Sequence, residues 1–263
     1  MQESVYHLEI VILSSNITPP SIKEQSQFWD SHWRQAKERK VVNPWTERRA
    51  ETILQHIRAL SIQRPNIVDC GCGDGWFTER LDSANFGGEV WGVDLSAEAI
   101  ANAKARRPHI QYVSGDICQA AIPEGHFDVA VSQEVIAHVE NQPNYVEKVS
   151  RILKPGGYLI MTTGNKFVMD RLGDVGWIQY PSEHIENELT STQMKRLLRA
   201  HFKLLSFGTI IPHGTKGILR IVNSPRLAAL FVPLIGQEKF DGIKERAGFG
   251  YQMVALVQKK SAD

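Results

Sequence analysis

The sequence predicts an α/β domain built on a Rossmann-like parallel sheet with helices on both faces. Three observations carry that expectation. From Ile67 onward, short β-branched runs alternate with segments of helical periodicity, as in consecutive βα units joined by right-handed crossovers. The first run, Ile67-Val68-Asp69-Cys70, delivers the chain into a glycine loop, Gly71-Cys72-Gly73-Asp74-Gly75, that opens a helix. Three successive strands end in or just before an acid: Asp69, Asp94 and Asp116. In a parallel sheet those acids share the carboxyl edge, where open α/β folds bind ligands.

Taken in order, Ser14 to Pro20 reads as a linker with a double proline. Phe28, Trp29 and Trp33 then fall on one side of a helical segment, either packed on the domain or acting as a flap over a ligand. Asn43-Pro44-Trp45 is a turn. Ala50, Ile53, Leu54, Ile57 and Leu60 repeat at amphipathic spacing. Strand one is expected near 66–70, strand two over 89–94, strand three near 110–113, strand four over 127–132 and strand five over 158–163. Ser96 is placed to cap the helix after strand two. A helix near 143–153 runs into Lys154-Pro155-Gly156-Gly157, which reads as a sharp stop. Thr190-Ser191-Thr192-Gln193 is a capping box for a helix that turns Met194, Leu197 and Leu198 inward. Strands six and seven are expected near 203–210 and 251–258. The 211–248 segment between them is long for a hairpin and holds the apolar run Leu227 to Ile235. It reads as a buried helix, a cover on an acceptor pocket, or a shallow membrane contact, being too short to span a bilayer.

A chain of 263 residues with formal net charge +1 suits one α/β domain with insertions. No strong field draws it to nucleic acid or to an anionic membrane surface. Three cysteines are too few for a disulfide framework, and Cys70-Gly71-Cys72 has no Cys/His pair at zinc spacing elsewhere, so no metal is expected. The apolar run Ile10 to Leu13 is shorter than a span and lacks the basic start of a signal peptide. A soluble, cytoplasmic protein is expected.

The loop chemistry narrows the ligand. A dinucleotide site uses G-x-G-x-x-G, whereas here Trp76 holds the third glycine's place. An acid before the loop (Asp69) and another within it (Asp74) suit a ligand with cationic centres better than a pyrophosphate. Asp94 is positioned to accept from both hydroxyls of a ribose.

These residues resemble the class I S-adenosylmethionine (SAM) methyltransferases. Four blocks carry the resemblance: Val68 to Gly75, Gly92-Val93-Asp94-Leu95-Ser96, Phe127-Asp128-Val129, and Leu153-Lys154-Pro155-Gly156-Gly157. It implies a seven-stranded sheet of order 3-2-1-4-5-7-6 with strand seven antiparallel. It also implies SAM as cofactor and S-adenosylhomocysteine as product. Asp69, Gly71 and Gly73 would hold the methionine end, Asp94 the ribose, and Asp116 with Ile117 the adenine. Cys72, Leu95 and Gln133 complete the implied cofactor set. The nearest subgroup resembles the ubiquinone-biosynthesis O-methyltransferases, whose E-x-x-E-H-[VL] segment here reads Glu134-Val135-Ile136-Ala137-His138-Val139. The second glutamate is Ala137, which puts metal dependence in doubt.

The expected activity is methyl transfer to a small, hydrophobic metabolite, with O-methylation ahead of N or C. A hydroxyl acceptor needs a proton acceptor. His184, in a polar loop, and His138 are the candidates, with Glu134 orienting or binding the acceptor. Spaced i, i+4, Glu134 and His138 could share a helical face. The alternatives are an NAD-dependent oxidoreductase and a catalytically inactive SAM-binding module. Residues 1–45 are expected to form an N-terminal extension and flap, 46–263 the catalytic domain, and 211–248 a cover insertion within it.

Overall fold

In the computed structural model, which describes residues 19–35, 43–172 and 185–261, the chain begins with α1 (Ile22–Gln35) and α2 (Pro44–Ala59). Alternation follows: β1 (Ile67–Cys70), α3 (Trp76–Ser83), β2 (Val90–Asp94), α4 (Ala97–Arg106), β3 (Gln111–Ser114) and β4 (Phe127–Gln133). A single 3-10 turn, Ile136–His138, leads to α5 (Gln142–Ile152), β5 (Leu153–Gly164) and α6 (Lys166–Met169). The last part holds α7 (Ser191–Arg199), β6 (Phe202–Pro212), α8 (Ile218–Val222), α9 (Pro225–Ile235), α10 (Gln237–Arg246) and β7 (Gly250–Lys259).

The seven strands form one sheet in the order β3-β2-β1-β4-β5-β7-β6. Strands β1 to β5 pair in parallel, and β7 runs antiparallel to both β5 and β6. Since β6 is antiparallel to β7, it points the same way as β5. All six parallel-running strands therefore end at one edge.

The central strands are apolar on both sides because helices cover both faces. Every residue of β1 is buried, Asp69 included. On one face Ile53, Leu54 and Ile57 of α2 and Leu81 of α3 pack against Ile67, Val129 and Ile160. On the other, Tyr145, Val149 and Ile152 of α5 and Met194 and Leu198 of α7 pack against Val68, Ala130 and Met161. Each fully buried Ile, Leu, Val or Met side chain among them contributes roughly 1.5–3 kcal/mol by removal from water.

The helix starts follow local chemistry. Asn43 accepts from the Trp45 N–H with Pro44 in the first turn, and Ser96 accepts from the Ala99 N–H. Thr190 and Gln193 close the predicted capping box. Two details differ from the sequence reading. The Leu153 to Gly157 segment does stop α5, but it also begins β5: Leu153 already pairs with Phe127 before a bulge shifts the register to Val129 and Tyr158. The apolar run 227–235 is helical, yet α9 contains no buried residue, so it is not a buried core helix.

Candidate active site

Backbone geometry at the end of β1 builds the floor of the site. Gly71, Gly73 and Gly75 all have φ near +54° to +79°, the left-handed region that favours glycine. At Gly73 a Cβ would stand 2.5 Å from the Trp33 ring of α1, so the loop has space for backbone only.

The Asp94 carboxylate straps this loop to the start of α4. Its Oδ2 accepts from the Gly73 N–H at 2.7 Å and its Oδ1 from the Ser96 N–H at 2.9 Å. Each oxygen retains a further lone pair for a ligand hydroxyl. Burial pushes the Asp94 carboxyl up, against the pull of the Ser96 and Gly73 N–H groups. Asp69 is buried at 1% exposure. Its Oδ2 accepts from the Thr78 hydroxyl at 2.8 Å, while Oδ1 is buried without a hydrogen-bond partner. Burial pushes the Asp69 carboxyl up to about 7; the Thr78 hydroxyl opposes this, the Asp94 charge adds to it, and the Arg49 guanidinium opposes it. An unpartnered carboxylate oxygen of this kind fits an ammonium group.

Two adjoining cavities meet at the glycine loop. The smaller, about 380 Å³, takes walls from Arg49, Asp69, Cys72, Trp76 and Gln133. The larger, about 510 Å³, is lined by Asp94, Leu95, Asp116 and Ile117 on one side and by Glu134 and His138 on the other. Gly71 and Gly73 line both. The sequence-predicted cofactor residues therefore all reach one cavity or the other. Asp116 also shapes its own turn, accepting from the Cys118 N–H at 3.0 Å. Asp74, which the loop chemistry made available to a cationic ligand, is instead paired with Arg106 of α4 at 3.2 Å.

Arg49 was missed by sequence reasoning. Its Nε donates to Gln133 Oε1 at 3.3 Å, and its Nη1 lies 3.8 Å from Glu134 Oε1. A guanidinium in the cavity that holds Asp69 gives that end one cation and one anion, the complement of an amino acid's carboxylate and ammonium. Nothing in the polar face of an amphipathic helix marks such a residue; only the fold brings it to β4.

Glu134 and His138 line the same cavity but do not share a helical face, correcting the i, i+4 expectation. Glu134 precedes the 3-10 turn in a left-handed conformation at φ +55°, and its Oε1 accepts from the Thr162 hydroxyl at 2.9 Å. His138 Nδ1 lies 3.1 Å from the Ile185 carbonyl oxygen. A carbonyl only accepts, so Nδ1 carries the proton and Nε2 holds the basic lone pair of the neutral ring. The Trp29 ring of α1 meets the His138 ring edge-on at 5.3 Å. His184 lies outside the described residues.

Helix α1 is held over the larger cavity by Asp30, whose Oδ1 accepts from the Ser96 hydroxyl at 2.6 Å and the Glu98 N–H at 3.1 Å. Trp29 and Trp33 line that cavity. No residue of 211–248 lines either of these two cavities.

The raised Asp69 carboxyl has a measurable consequence. Between the ordinary carboxylate range and pH about 7, the folded protein keeps a proton on Asp69 that the unfolded chain has released. This group's contribution therefore lowers stability as pH rises through that window. A ligand ammonium pairs with the ionised form. S-adenosylhomocysteine affinity should rise with pH up to about 7, by at most roughly tenfold per pH unit, and level off above. Calorimetry across the window checks this, and Asp69→Asn should bind weakly with no such slope. A pH-independent affinity in the unsubstituted protein would remove Asp69 from the ligand.

Comparison with known proteins agrees with this geometry. A family model for a methyltransferase domain matches residues 68–161. The chain is 28% identical over 171 residues to a malonyl-[acyl-carrier protein] O-methyltransferase of Serratia marcescens, covering 65% of this chain and 62% of that protein. It is 31% identical over 106 residues to a ubiquinone biosynthesis O-methyltransferase of Albidiferax ferrireducens, covering 38% and 41%. Over 119 residues it is 29% identical to a protein of Mycolicibacterium smegmatis described as a probable S-adenosylmethionine-dependent methyltransferase, covering 45% of each. The chain thus spans less than two thirds of the length of these relatives. Among solved structures, a SAM-dependent methyltransferase from Mesorhizobium loti shares the fold at TM-score 0.55 and 22% identity, covering 80% of this chain and 98% of that one. The [4+2]-cyclase SpnF does so at 0.63 and 17%, covering 93% and 99%.

Proposed function

We propose that the chain is a class I S-adenosylmethionine-dependent methyltransferase that transfers a methyl group from that cofactor to the hydroxyl oxygen of a small, hydrophobic acceptor; the methyltransferase-domain match over residues 68–161 supports this. The observation that carries the reading is the larger cavity. It joins Asp94 and Asp116 on one wall to a histidine with its basic nitrogen defined on the other. SAM, when bound, supplies an activated methyl group on sulfur.

The chain's own residues do the rest. Asp69 and Arg49 take the ammonium and carboxylate of the amino-acid end, and Asp94 takes the ribose hydroxyls. Asp116 and Ile117 border the adenine. Trp29 and Trp33 exclude water and narrow the approach to one line. Nε2 of His138 would take the acceptor hydroxyl's proton, with SAM supplying the methyl group and leaving as S-adenosylhomocysteine. Glu134, fixed by Thr162 and Arg49, orients the acceptor. His184 is the second candidate for the proton. In domain terms, residues 1–45 would serve as the N-terminal extension and flap and 46–263 as the catalytic domain, with 211–248 as a cover insertion between strands six and seven.

The test is transfer of tritium from methyl-labelled SAM into pooled phenols, carboxylic acids, isoprenoid alcohols and amines. Label in a hydroxyl-bearing apolar pool is expected. Tight S-adenosylhomocysteine binding with no label in any pool would favour an inactive SAM-binding module. The SpnF fold makes a non-transferase outcome a real alternative. The NAD-dependent alternative is disfavoured, since Trp76 lines the cavity where the third fingerprint glycine would admit a pyrophosphate.

A further inference from the structure

We propose that the face formed by α8 and α9 docks onto an anionic lipid bilayer and holds the site edge of the sheet toward the membrane surface. Topology gives the placement. Strand β6 runs parallel to β1–β5 in direction, so Pro212 emerges at the same edge as Asp69 and Asp94, and β7 departs from that edge at Gly250. The segment carrying α8 to α10 therefore begins and ends beside the candidate site.

Its surface is unusual for a water-facing one. Leu234 is 76% exposed, and Leu230 and Ile221 are each 60% exposed. Phe231 and Ile218 are also exposed. These residues are concentrated on two consecutive short elements, and such a concentration of exposed apolar side chains marks an interaction site. The elements are anchored from behind. Leu219 of α8 is buried against Val168 and Leu172, and Phe231 of α9 stacks on the buried Phe240 of α10 at 6.0 Å. Helix α10 is tied to β6 by the Thr209 hydroxyl, which donates to the Glu245 carbonyl at 2.6 Å. The apolar residues therefore stand outward on a fixed support.

Charge identifies the occupant. The 214–236 stretch contains Lys216, Arg220 and Arg226 and no acid, although the whole chain is nearly neutral. Arg220 and Arg226 are exposed and make no ion pair among the described residues. A second copy seated symmetrically would bring these cations toward their own counterparts. An anionic bilayer neutralises them and buries the leucines. With 11 residues, α9 is too short to cross, and no helix among the described residues is long and apolar enough to do so. The contact lies in the plane of the interface.

The experiment is co-sedimentation of the full chain with vesicles of phosphatidylcholine alone or mixed with phosphatidylglycerol. Sedimentation analysis without lipid reads self-association. Binding is expected only to the mixed vesicles. Each cation removed in Arg220→Gln and Arg226→Gln should weaken it about fivefold. Leu230→Ser/Leu234→Ser should reduce it by at least about tenfold. Unchanged thermal melts, with an unchanged shift on adding S-adenosylhomocysteine, establish that the variants fold. Three results would overturn the proposal: no binding to mixed vesicles, binding indifferent to both sets of substitutions, or a lipid-free dimer that the leucine substitutions dissociate. None of these readouts needs turnover, so their failure leaves methyl transfer standing, and the reverse also holds.

Discussion

Asp94→Ala should weaken S-adenosylhomocysteine binding by about 10²–10⁴-fold. Two ribose hydroxyls lose a charged acceptor, each hydrogen bond contributing roughly 1.5–3 kcal/mol. The same change releases the Gly73 and Ser96 N–H groups, which the carboxylate now holds at 2.7 and 2.9 Å. Asp94→Asn should lose nearly as much. Its amide keeps one oxygen but turns an N–H group toward a backbone N–H that needs an acceptor. Calorimetry reads both, and unchanged affinity in Asp94→Ala would remove this residue from the site.

His138→Ala is expected to cut turnover of a hydroxyl acceptor by about 10²–10⁴-fold, the range for loss of a general base, with S-adenosylhomocysteine affinity unchanged. The ring also packs edge-on with Trp29, so part of any loss could come from the flap. His138→Gln separates the two roles by filling similar space without a basic nitrogen. A base role requires the glutamine variant to be as slow as the alanine variant. Near-normal turnover in both His138→Ala and His184→Ala would sink histidine base catalysis and leave positioning as the protein's contribution.

The parts of the fold legible in the sequence were those written in local pattern. Buried parallel strands appear as β-branched runs such as Ile67-Val68 and Val129-Ala130-Val131. Their ends were marked by acids and glycines whose chemistry requires an edge. The capping box at Thr190 was readable because both partners lie within one turn. What sequence could not supply was contact across distance. Arg49 looks like any cation on a helix's wet face, and its role depends on Gln133 and Glu134. The left-handed Glu134 also escaped notice, because helical spacing to His138 suggested a turn that the backbone does not make. The Lys154-Pro155-Gly156-Gly157 segment read as the stop of a helix, which it is; that the strand also begins there, across a bulge, depends on the distant partner Phe127.

The Asp30 contact with the start of α4 has a kinetic consequence. While that carboxylate holds the Ser96 hydroxyl and the Glu98 N–H, α1 lies across the larger cavity, with Trp33 on the glycine loop. A cofactor beneath α1 can exchange only after those hydrogen bonds break. On the proposed reading, cofactor loading and release would share one gate, the contact between α1 and the start of α4. If that gate is slower than bond making, it sets the steady-state pace. The first turnover then outruns all later ones, and product appears as a burst of one equivalent per chain.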